Sequence, residues 1–174
     1  LQSSGQSLMT IINDILDFSK IEASKLDLEH EPFSLAALIE ELNDVFAVQA
    51  MARDLLLSWH CCDHLPTMVL GDTTRLRQVI SNLISNALKF THQGEVRIEL
   101  APTSTPDVYQ VSIRDTGIGM SEAVQAKLFS PFTQANASTT RKYGGTGLGL
   151  VISATLVKLM RGRIWVERLE GQGS

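Results

Sequence analysis

The chain has no long apolar run. No stretch of its 174 residues approaches the roughly 18 residues that a membrane span requires. Its first residues also lack a basic segment followed by a short hydrophobic core, so no secretory signal is predicted. Basic charge is scarce as well, because 15 Lys and Arg stand against 19 Asp and Glu. We therefore expect no nucleic-acid partner and no direct membrane contact.

Cysteine is equally rare. The two cysteines, Cys61 and Cys62, are adjacent, which excludes a disulfide framework and fits a reducing cytoplasm, the predicted location. They lie within "HCCDH", where His60 and His64 raise the alternative of a zinc site. Structural zinc sites place their ligands in two separated pairs, and consecutive strand residues point to alternate faces. We therefore expect a strand here and no metal centre.

Apolar periodicity predicts the secondary structure. Apolar residues spaced by threes and fours over residues 1–26 predict a helix that begins inside its own pattern, as in a fragment of a longer chain. Two further helices are expected from the N-cap Ser34 to about Arg53 and over residues 73–90, and another over about 147–160. Predicted strands are "LDLEHEPF", "LLLSWHCC", "EVRIEL", "VYQVSIRD" and "RIWVERL". Strands bunched with helices, without strict alternation, indicate an α+β fold.

Polar side chains share one face of the helix predicted over residues 73–90. At about 100° per residue, Asn82, Asn86 and Lys89 fall within a sector of roughly 60°, beside the apolar face. One interpretation is an ordinary solvated face. The other is a ligand site, because amide oxygens are suitable for Mg²⁺, which combines few protein ligands with phosphate oxygens and water.

The segment "VYQVSIRDTGIGM" ends a predicted strand with an acid. Period-two alternation places Asp115 in the same row as Val111 and Ile113, so its carboxylate continues an apolar face. It could open a turn in which Gly117 and Gly119 supply unusual φ angles. Alternatively, it accepts a hydrogen bond from an exocyclic amine while the glycines let a flat ring approach the backbone.

Four glycines, Gly144, Gly145, Gly147 and Gly149, stand at the beginning of the last predicted helix in "RKYGGTGLGL". A flexible loop that leads into a helix presents backbone N–H groups and a positive dipole end to an anion such as phosphate. Arg141 and Lys142 could add charge there, although the glycines could also serve tight packing alone. The P-loop pattern fails because Leu150 and Val151 follow Gly149, and the dinucleotide and protein-kinase patterns fail because Leu150 replaces their third glycine.

Taken in order, these segments resemble the nucleotide-binding boxes of sensor histidine kinases, which share an ATPase superfamily with gyrase and Hsp90. "RLRQVISNLISNALKFT" is similar to the N box, and "DTGIGM" and "GGTGLGL" are similar to the first two glycine boxes. "LFSPFTQ" resembles the F box and "GQGS" the third glycine box. The wording of "IINDILDFSKIEASKLDLE" is especially like that of hybrid kinases, which also carry receiver domains.

The resemblance implies a two-layer α/β sandwich of the Bergerat type, with an N-terminal helix from a dimerisation hairpin. Residues 1–26 resemble the end of the second dimerisation helix, and residues 27–174 the catalytic ATP-binding domain with an incomplete last strand. A mobile lid is implied at about residues 129–143, with Phe129 and Phe132 as hinges.

The same resemblance assigns roles to residues. It implies that Asp115 binds the adenine amine and that Asn86 ligates Mg²⁺, with Asn82 assisting. The implied phosphate contacts are Lys89, Arg141 and Lys142. The implied ATP-binding set is completed by Gly117, Gly119, Gly145, Gly147, Leu148 and Gly149.

The implied activity is transfer of the ATP γ-phosphate to a histidine in a two-component system. No histidine here stands in the acceptor pattern, so the acceptor is expected outside this sequence. Implied partners are a second copy, through the dimerisation helices, and a response regulator or fused receiver domain, in a cytoplasmic or inner-membrane-anchored parent protein. Alternatives are a degenerate regulatory module and a gyrase-like ATPase, although Asn82 replaces the glutamate that activates water there. Asp115-Thr116-Gly117 also matches the aspartic-protease triplet, but those enzymes need two such aspartates.

Overall fold

The structure is a computed structural model that describes Ile12, Leu16, Ser19 and residues 26–63, 65–130, 147–167 and 173–174. The chain forms two compact units. The helical unit comprises residues 1–28 and 122–164, and the sheet unit comprises residues 29–121 and 165–174. Ile12, Leu16 and Ser19 are helical, as predicted. Of the other residues in the helix expected over residues 1–26, Leu26 is not helical and the rest lie outside the described residues.

The sheet unit contains five strands and two helices among its described residues. In chain order these are β1 (Glu31–Phe33), α1 (Leu35–Met51), β2 (Leu56–Cys61), β3 (Val69–Gly71), α2 (Thr73–Phe90), β4 (Glu95–Pro102) and β5 (Tyr109–Asp115). The helical unit contains α3 (Glu122–Gln125) and α4 (Gly149–Leu159). The mixture of helices and sheet confirms the α+β class.

The strands form two sheets. In the larger one, β4 pairs in parallel with β2 and antiparallel with β5. In the smaller one, β1 and β3 are antiparallel, with Glu31 opposite Gly71 and Phe33 opposite Val69. Because β3 leads directly into α2, the small sheet ties the beginning of the unit to the helix that carries the polar face.

The core lies between the helices and one face of the larger sheet. Period-two alternation places Val96, Ile98 and Leu100 of β4 on the buried face, all at most 1% exposed. They pack in one cluster with Ile39 of α1 and Ile84 of α2, both fully buried. This is the two-layer arrangement of helices on a sheet that the resemblance implied.

Side-chain caps fix the beginnings of both helices, because each supplies an acceptor for a first-turn N–H group. Ser34 accepts a hydrogen bond from Ala37 N at 3.2 Å, as the sequence predicted for α1. Asp72 accepts one from Arg75 N at 2.9 Å at the start of α2. The limits predicted for α2 are those observed.

Two predictions of strands were wrong. Of "LDLEHEPF", only Glu31–Phe33 is a strand, since only these residues pair with β3, a strand that was not predicted. The described part of "RIWVERL", residues 163–167, contains no strand. Its exposed Trp165 indole donates locally to Glu167 Oε1 at 2.9 Å, two residues along the chain.

Within the residues that the structure describes, no helix is both long and apolar enough to cross a membrane.

Candidate nucleotide-binding site

The polar face of α2 has the predicted arrangement. Asn86 Nδ2 donates a long hydrogen bond of 3.5 Å to Asn82 Oδ1, one turn earlier. This bond turns the Asn86 carbonyl oxygen away from Asn82, where it can accept from or ligate a further group. Lys89 follows on the same face, with its Nζ 5.2 Å from the centroid of the Phe90 ring. The helix therefore presents two amides and a cation in one row.

The Lys89 ammonium is held in an unfavourable environment. Burial lowers its pKa below the ordinary value of 10.5, and repulsion from the Arg53 guanidinium lowers it further. Both causes disfavour the charged form, so an anion that approaches Lys89 relieves an electrostatic cost already present in the fold. This is the local environment expected at an anion-binding site.

The carboxyl end of α2 is bound by its own C-cap residue, Thr91, and by two other parts of the sheet unit. Thr91, itself buried, donates to Ala87 O through both its N–H, at 3.0 Å, and its hydroxyl, at 2.7 Å. Arg53 Nη1 donates to Leu88 O at 2.9 Å, and Ile118 N donates to Phe90 O at 3.3 Å. The last contact joins the glycine loop after β5 to the helix one turn beyond Asn86.

Asp115 ends β5 with both carboxylate oxygens engaged. Gly117 N donates to Oδ1 at 2.8 Å, and the Ser174 hydroxyl donates to Oδ2 at 2.7 Å. The Asp115 N–H also donates to Ser174 O at 2.8 Å. Each carboxylate oxygen has two acceptor positions, so the group is fixed in orientation and keeps capacity for another donor.

The glycines around Asp115 allow backbone segments to approach closely. A Cβ on Gly117 would lie 2.5 Å from Phe90 O, so a larger residue would push the loop off the helix. A Cβ on Gly173, which has a φ of +94°, would overlap with Asp115 O. The sequence predicted unusual φ angles for Gly117 and Gly119. Gly119 has one, +66°, whereas the reason for Gly117 is the close approach.

Thr116 connects this loop to the turn before β4. Its hydroxyl accepts from Glu95 N at 2.9 Å and donates to Gln93 O at 3.3 Å. An open depression of about 440 Å³ lies beside it, lined by His92, Gln93, Thr116, Gly117 and Ile118. Because neither Asp115 nor the α2 amides line this depression, we do not assign the nucleotide to it.

The glycine-rich segment belongs to the helical unit. Gly147 has a φ of +70°, and α4 begins at Gly149, close to the predicted limit. The N-cap Leu148 makes no side-chain capping hydrogen bond, so the first turn is not closed by a polar side chain as it is in α1 and α2. The predicted phosphate and lid residues Phe132, Arg141, Lys142 and Gly145 lie outside the described residues.

Sequence reasoning missed three residues that organise the site: Arg53, Thr116 and Ser174. Ser174 was noticed only as part of a terminal glycine motif, and its contact with Asp115 spans 59 residues. The adjacent Gly173 was the one available signal, because a glycine beside a polar residue suggests close backbone approach.

The "HCCDH" segment provides no metal site in the described chain. Cys61 and Cys62 are free thiols, and burial raises the pKa of Cys61, with smaller contributions from Cys62 and Asp63. No group of three potential metal ligands is found among the residues that are described, a set that excludes His64.

Comparison with known proteins identifies the family to which the chain belongs. The family model for "Histidine kinase-, DNA gyrase B-, and HSP90-like ATPase" matches residues 71–174, from the end of β3 through the site. The chain therefore belongs to this family, which confirms the resemblance seen in its nucleotide-binding boxes.

The individual relatives and structures that the chain resembles include sensor histidine kinases, and the chain spans less than half the length of each of the three described here. The chain is 44% identical to the signal transduction histidine-protein kinase BarA of Escherichia coli (strain K12), over all of this chain but 19% of BarA. The crystal structure of full-length ShkA in complex with AMPPNP has a TM-score of 0.84 and 31% identity, covering 98% of this chain and 35% of ShkA. Histidine kinase ThkA, in complex with the response regulator protein TrrA, has a TM-score of 0.74 and 27% identity, covering 99% and 46%.

Proposed function

We propose that this chain binds ATP with Mg²⁺ and positions the γ-phosphate for transfer to a histidine that lies outside these 174 residues. The observation that carries the proposal is the fixed carboxylate of Asp115, whose loop contacts α2 at Phe90, one turn beyond Asn86. The sheet unit thus holds two suitable groups in one connected part. Asp115 can accept from a purine amine, and the row of amides and Lys89 on α2 can bind a triphosphate.

Asp115 is proposed to select adenine. Adenine has an exocyclic amine that donates a hydrogen bond, whereas guanine has a carbonyl oxygen at the corresponding position, which would face the carboxylate unfavourably. Hydrogen bonds from Gly117 and Ser174 hold the carboxylate in place before the ligand arrives, so little ordering remains for the binding step.

The remaining predicted residues are proposed to hold the phosphates. Asn86 would ligate Mg²⁺ with support from Asn82, and the ion would neutralise charge on the phosphate oxygens. Lys89 would contact a phosphate, which relieves its unfavourable environment. In the helical unit, the first turn of α4, at Gly147, Leu148 and Gly149, would donate backbone N–H groups. Arg141, Lys142 and Gly145 complete the proposed set.

The chemical step is proposed to depend mainly on placement. Phosphoryl transfer needs in-line alignment and stabilisation of the charge that spreads over the phosphoryl oxygens. The amide of Asn82 cannot act as a general base, so it gives no means of activating water for hydrolysis. An imidazole acceptor needs no such base, which favours transfer to histidine over rapid ATP hydrolysis.

The partners follow from the same proposal. Because this chain spans about a fifth of BarA, the activity of a longer parent protein and its partners are part of the proposal. We propose a response regulator or fused receiver domain as the recipient of the phosphate, which the ThkA–TrrA complex supports by analogy. We also propose dimerisation through the N-terminal helical region and a cytoplasmic location for this part of the protein.

Binding and transfer can be tested separately. Calorimetry with ATP and GTP, each with and without Mg²⁺, should show Mg²⁺-dependent binding of ATP and at least about tenfold weaker binding of GTP. Labelled ATP given to the chain extended to include its acceptor should then yield an acid-labile phosphohistidine. Binding without phosphohistidine would favour the regulatory module, and rapid release of inorganic phosphate would favour an ATPase.

The environment of Lys89 gives a further prediction. Replacing Arg53 with Gln removes a repulsive charge, so the pKa of Lys89 should rise toward 10.5 in the free protein. Bound ATP should raise the same pKa in the wild type, because phosphate favours the ammonium form. NMR titration of the Lys89 side chain measures both shifts.

Arg97→Gln, which removes an exposed guanidinium paired with Glu95, is the control and should leave the Lys89 pKa unchanged. Failure of ATP to raise the pKa would contradict the phosphate contact.

A further inference from the structure

Asp72 is a buried carboxylate that makes two different backbone contacts. It is 5% exposed and stands between β3 and α2. Its Oδ1 accepts the capping hydrogen bond from Arg75 N at 2.9 Å, and its Oδ2 accepts one from Glu29 N at 3.2 Å, across 43 residues. The first bond belongs to the helix, and the second does not.

The helix alone does not require an aspartate at this position. Serine, threonine or asparagine caps a helix about as well, and burying a carboxylate is costly unless its oxygens are hydrogen-bonded. What aspartate adds is a second acceptor oxygen, which the Glu29 N–H occupies. The side chain therefore joins two backbone segments at the expense of burying a charge.

The hydrogen bond from Glu29 N to Asp72 lies where the chain enters the sheet unit. The chain passes between the two units three times, and the first passage, between Leu28 and Glu29, is here called the crossing point. Glu29 is therefore the first residue of the sheet unit. Strand β1 begins two residues later, at Glu31 opposite Gly71, and Gly71 immediately precedes Asp72. One side chain thus fastens the crossing point to the helix that carries Asn82, Asn86 and Lys89.

We propose that Asp72 is a positioning residue that latches the chain at its crossing point and so sets the reach of the sheet unit toward the phosphate acceptor. The effect on reach rests on the proposed function. Without the hydrogen bond from Glu29 to Asp72, the first residue fixed to the sheet unit would be Glu31, where β1 begins. Two more residues of extended chain would then lengthen the connection to the sheet unit by up to roughly 7 Å. In-line transfer requires the reacting atoms to be about 3 to 3.5 Å apart, so a longer tether lowers the fraction of productive encounters.

The latch can be tested by amide hydrogen exchange on this chain without nucleotide. In Asp72→Asn, the side-chain oxygen can still cap Arg75 N, but the amide NH₂ group cannot accept from Glu29 N. The Glu29 amide should exchange about tenfold faster, while the Arg75 amide keeps its protection. Asp72→Ala should expose both amides, and Glu29→Ala, which keeps the backbone N–H, should expose neither. Unchanged exchange at Glu29 in Asp72→Asn would overturn the latch.

The positioning role needs a readout in the longer protein that carries the acceptor histidine. Asp72→Asn and Glu29→Pro break the same bond from opposite sides, so each should lower the maximal rate of phosphohistidine formation about tenfold without changing KM for ATP. The double variant should be no slower than the slower single one. Unchanged maximal rates, or additive losses, would overturn the role. Absence of ATP binding by the wild type would instead overturn the proposed function, and the exchange result would still decide whether the latch exists.

Discussion

Replacing Asp115 with asparagine is expected to weaken ATP binding about a hundredfold, a loss typical of a hydrogen bond to a charged group. The fold should survive, because the asparagine oxygen can keep the bond from Gly117 N while its NH₂ group donates to the Ser174 hydroxyl. The asparagine NH₂ group, a donor, then faces the adenine amine in place of a carboxylate oxygen, an acceptor. Calorimetry in Mg²⁺ gives the affinity, and thermal unfolding shows whether the fold is intact.

Asp107→Asn is the matched control for this substitution. Asp107 lies exposed in the turn before β5 with a φ of +59°, a conformation that asparagine tolerates. It should bind ATP as the wild type does. If Asp115→Asn binds ATP with undiminished affinity, the carboxylate does not recognise adenine. If it loses selectivity for ATP over GTP along with affinity, the assignment is supported directly.

Replacing Asn86 with alanine is expected to abolish the part of ATP affinity that depends on Mg²⁺. The wild type should bind ATP more tightly in Mg²⁺ than in EDTA, and the variant should show a ratio near one, with phosphohistidine formation reduced by about a thousandfold or more. Alanine is a good helix former, and the Asn86 side chain makes a long hydrogen bond to Asn82 within the same helix, so α2 should remain intact. Calorimetry in the two buffers and a phosphorylation assay measure these effects.

Asn43→Ala on α1 is the control for loss of an amide from a helix. The Asn43 Oδ1 atom is buried and has no hydrogen-bond partner among the described residues, so its removal leaves none of their donors unsatisfied. This variant should keep the full Mg²⁺ effect. A persistent Mg²⁺ effect in Asn86→Ala would show that the ion is ligated elsewhere, and Asn82→Ala would be the next variant to examine.

Local signals predicted the helices and the longer strands. Helix α2 was predicted with its observed limits, because its apolar spacing is regular over eighteen residues. The row from Val111 to Asp115 followed from period-two alternation, and Val111 and Ile113 do pack against the core. Within the site, the pairing of Asn82 with Asn86 could be predicted because one helical turn brings side chains together regardless of the fold.

Contacts between distant segments could not be predicted in the same way. Strand β3 has only three residues, too few to show a period, and it exists through its pairing with β1. The bond from Arg53 to the end of α2 spans 35 residues, and nothing in the sequence around Arg53 indicates that its side chain contacts α2. The strand predicted at "RIWVERL" was wrong although its residues alternate as they do in a strand. A strand also needs a neighbouring strand to pair with, and residues 163–167 form none.

The contact between Asp115 and Ser174 has a consequence for biosynthesis. The hydroxyl that holds this carboxylate is contributed by Ser174, 59 residues further along the chain, and the backbone of Gly173 lies against Asp115 O. A chain still emerging from the ribosome would therefore contain the amides of α2 before it contained the partner that fixes the Asp115 carboxylate. Full nucleotide affinity should appear only once Ser174 has been synthesised, and ATP would stabilise only molecules in which Ser174 has reached Asp115.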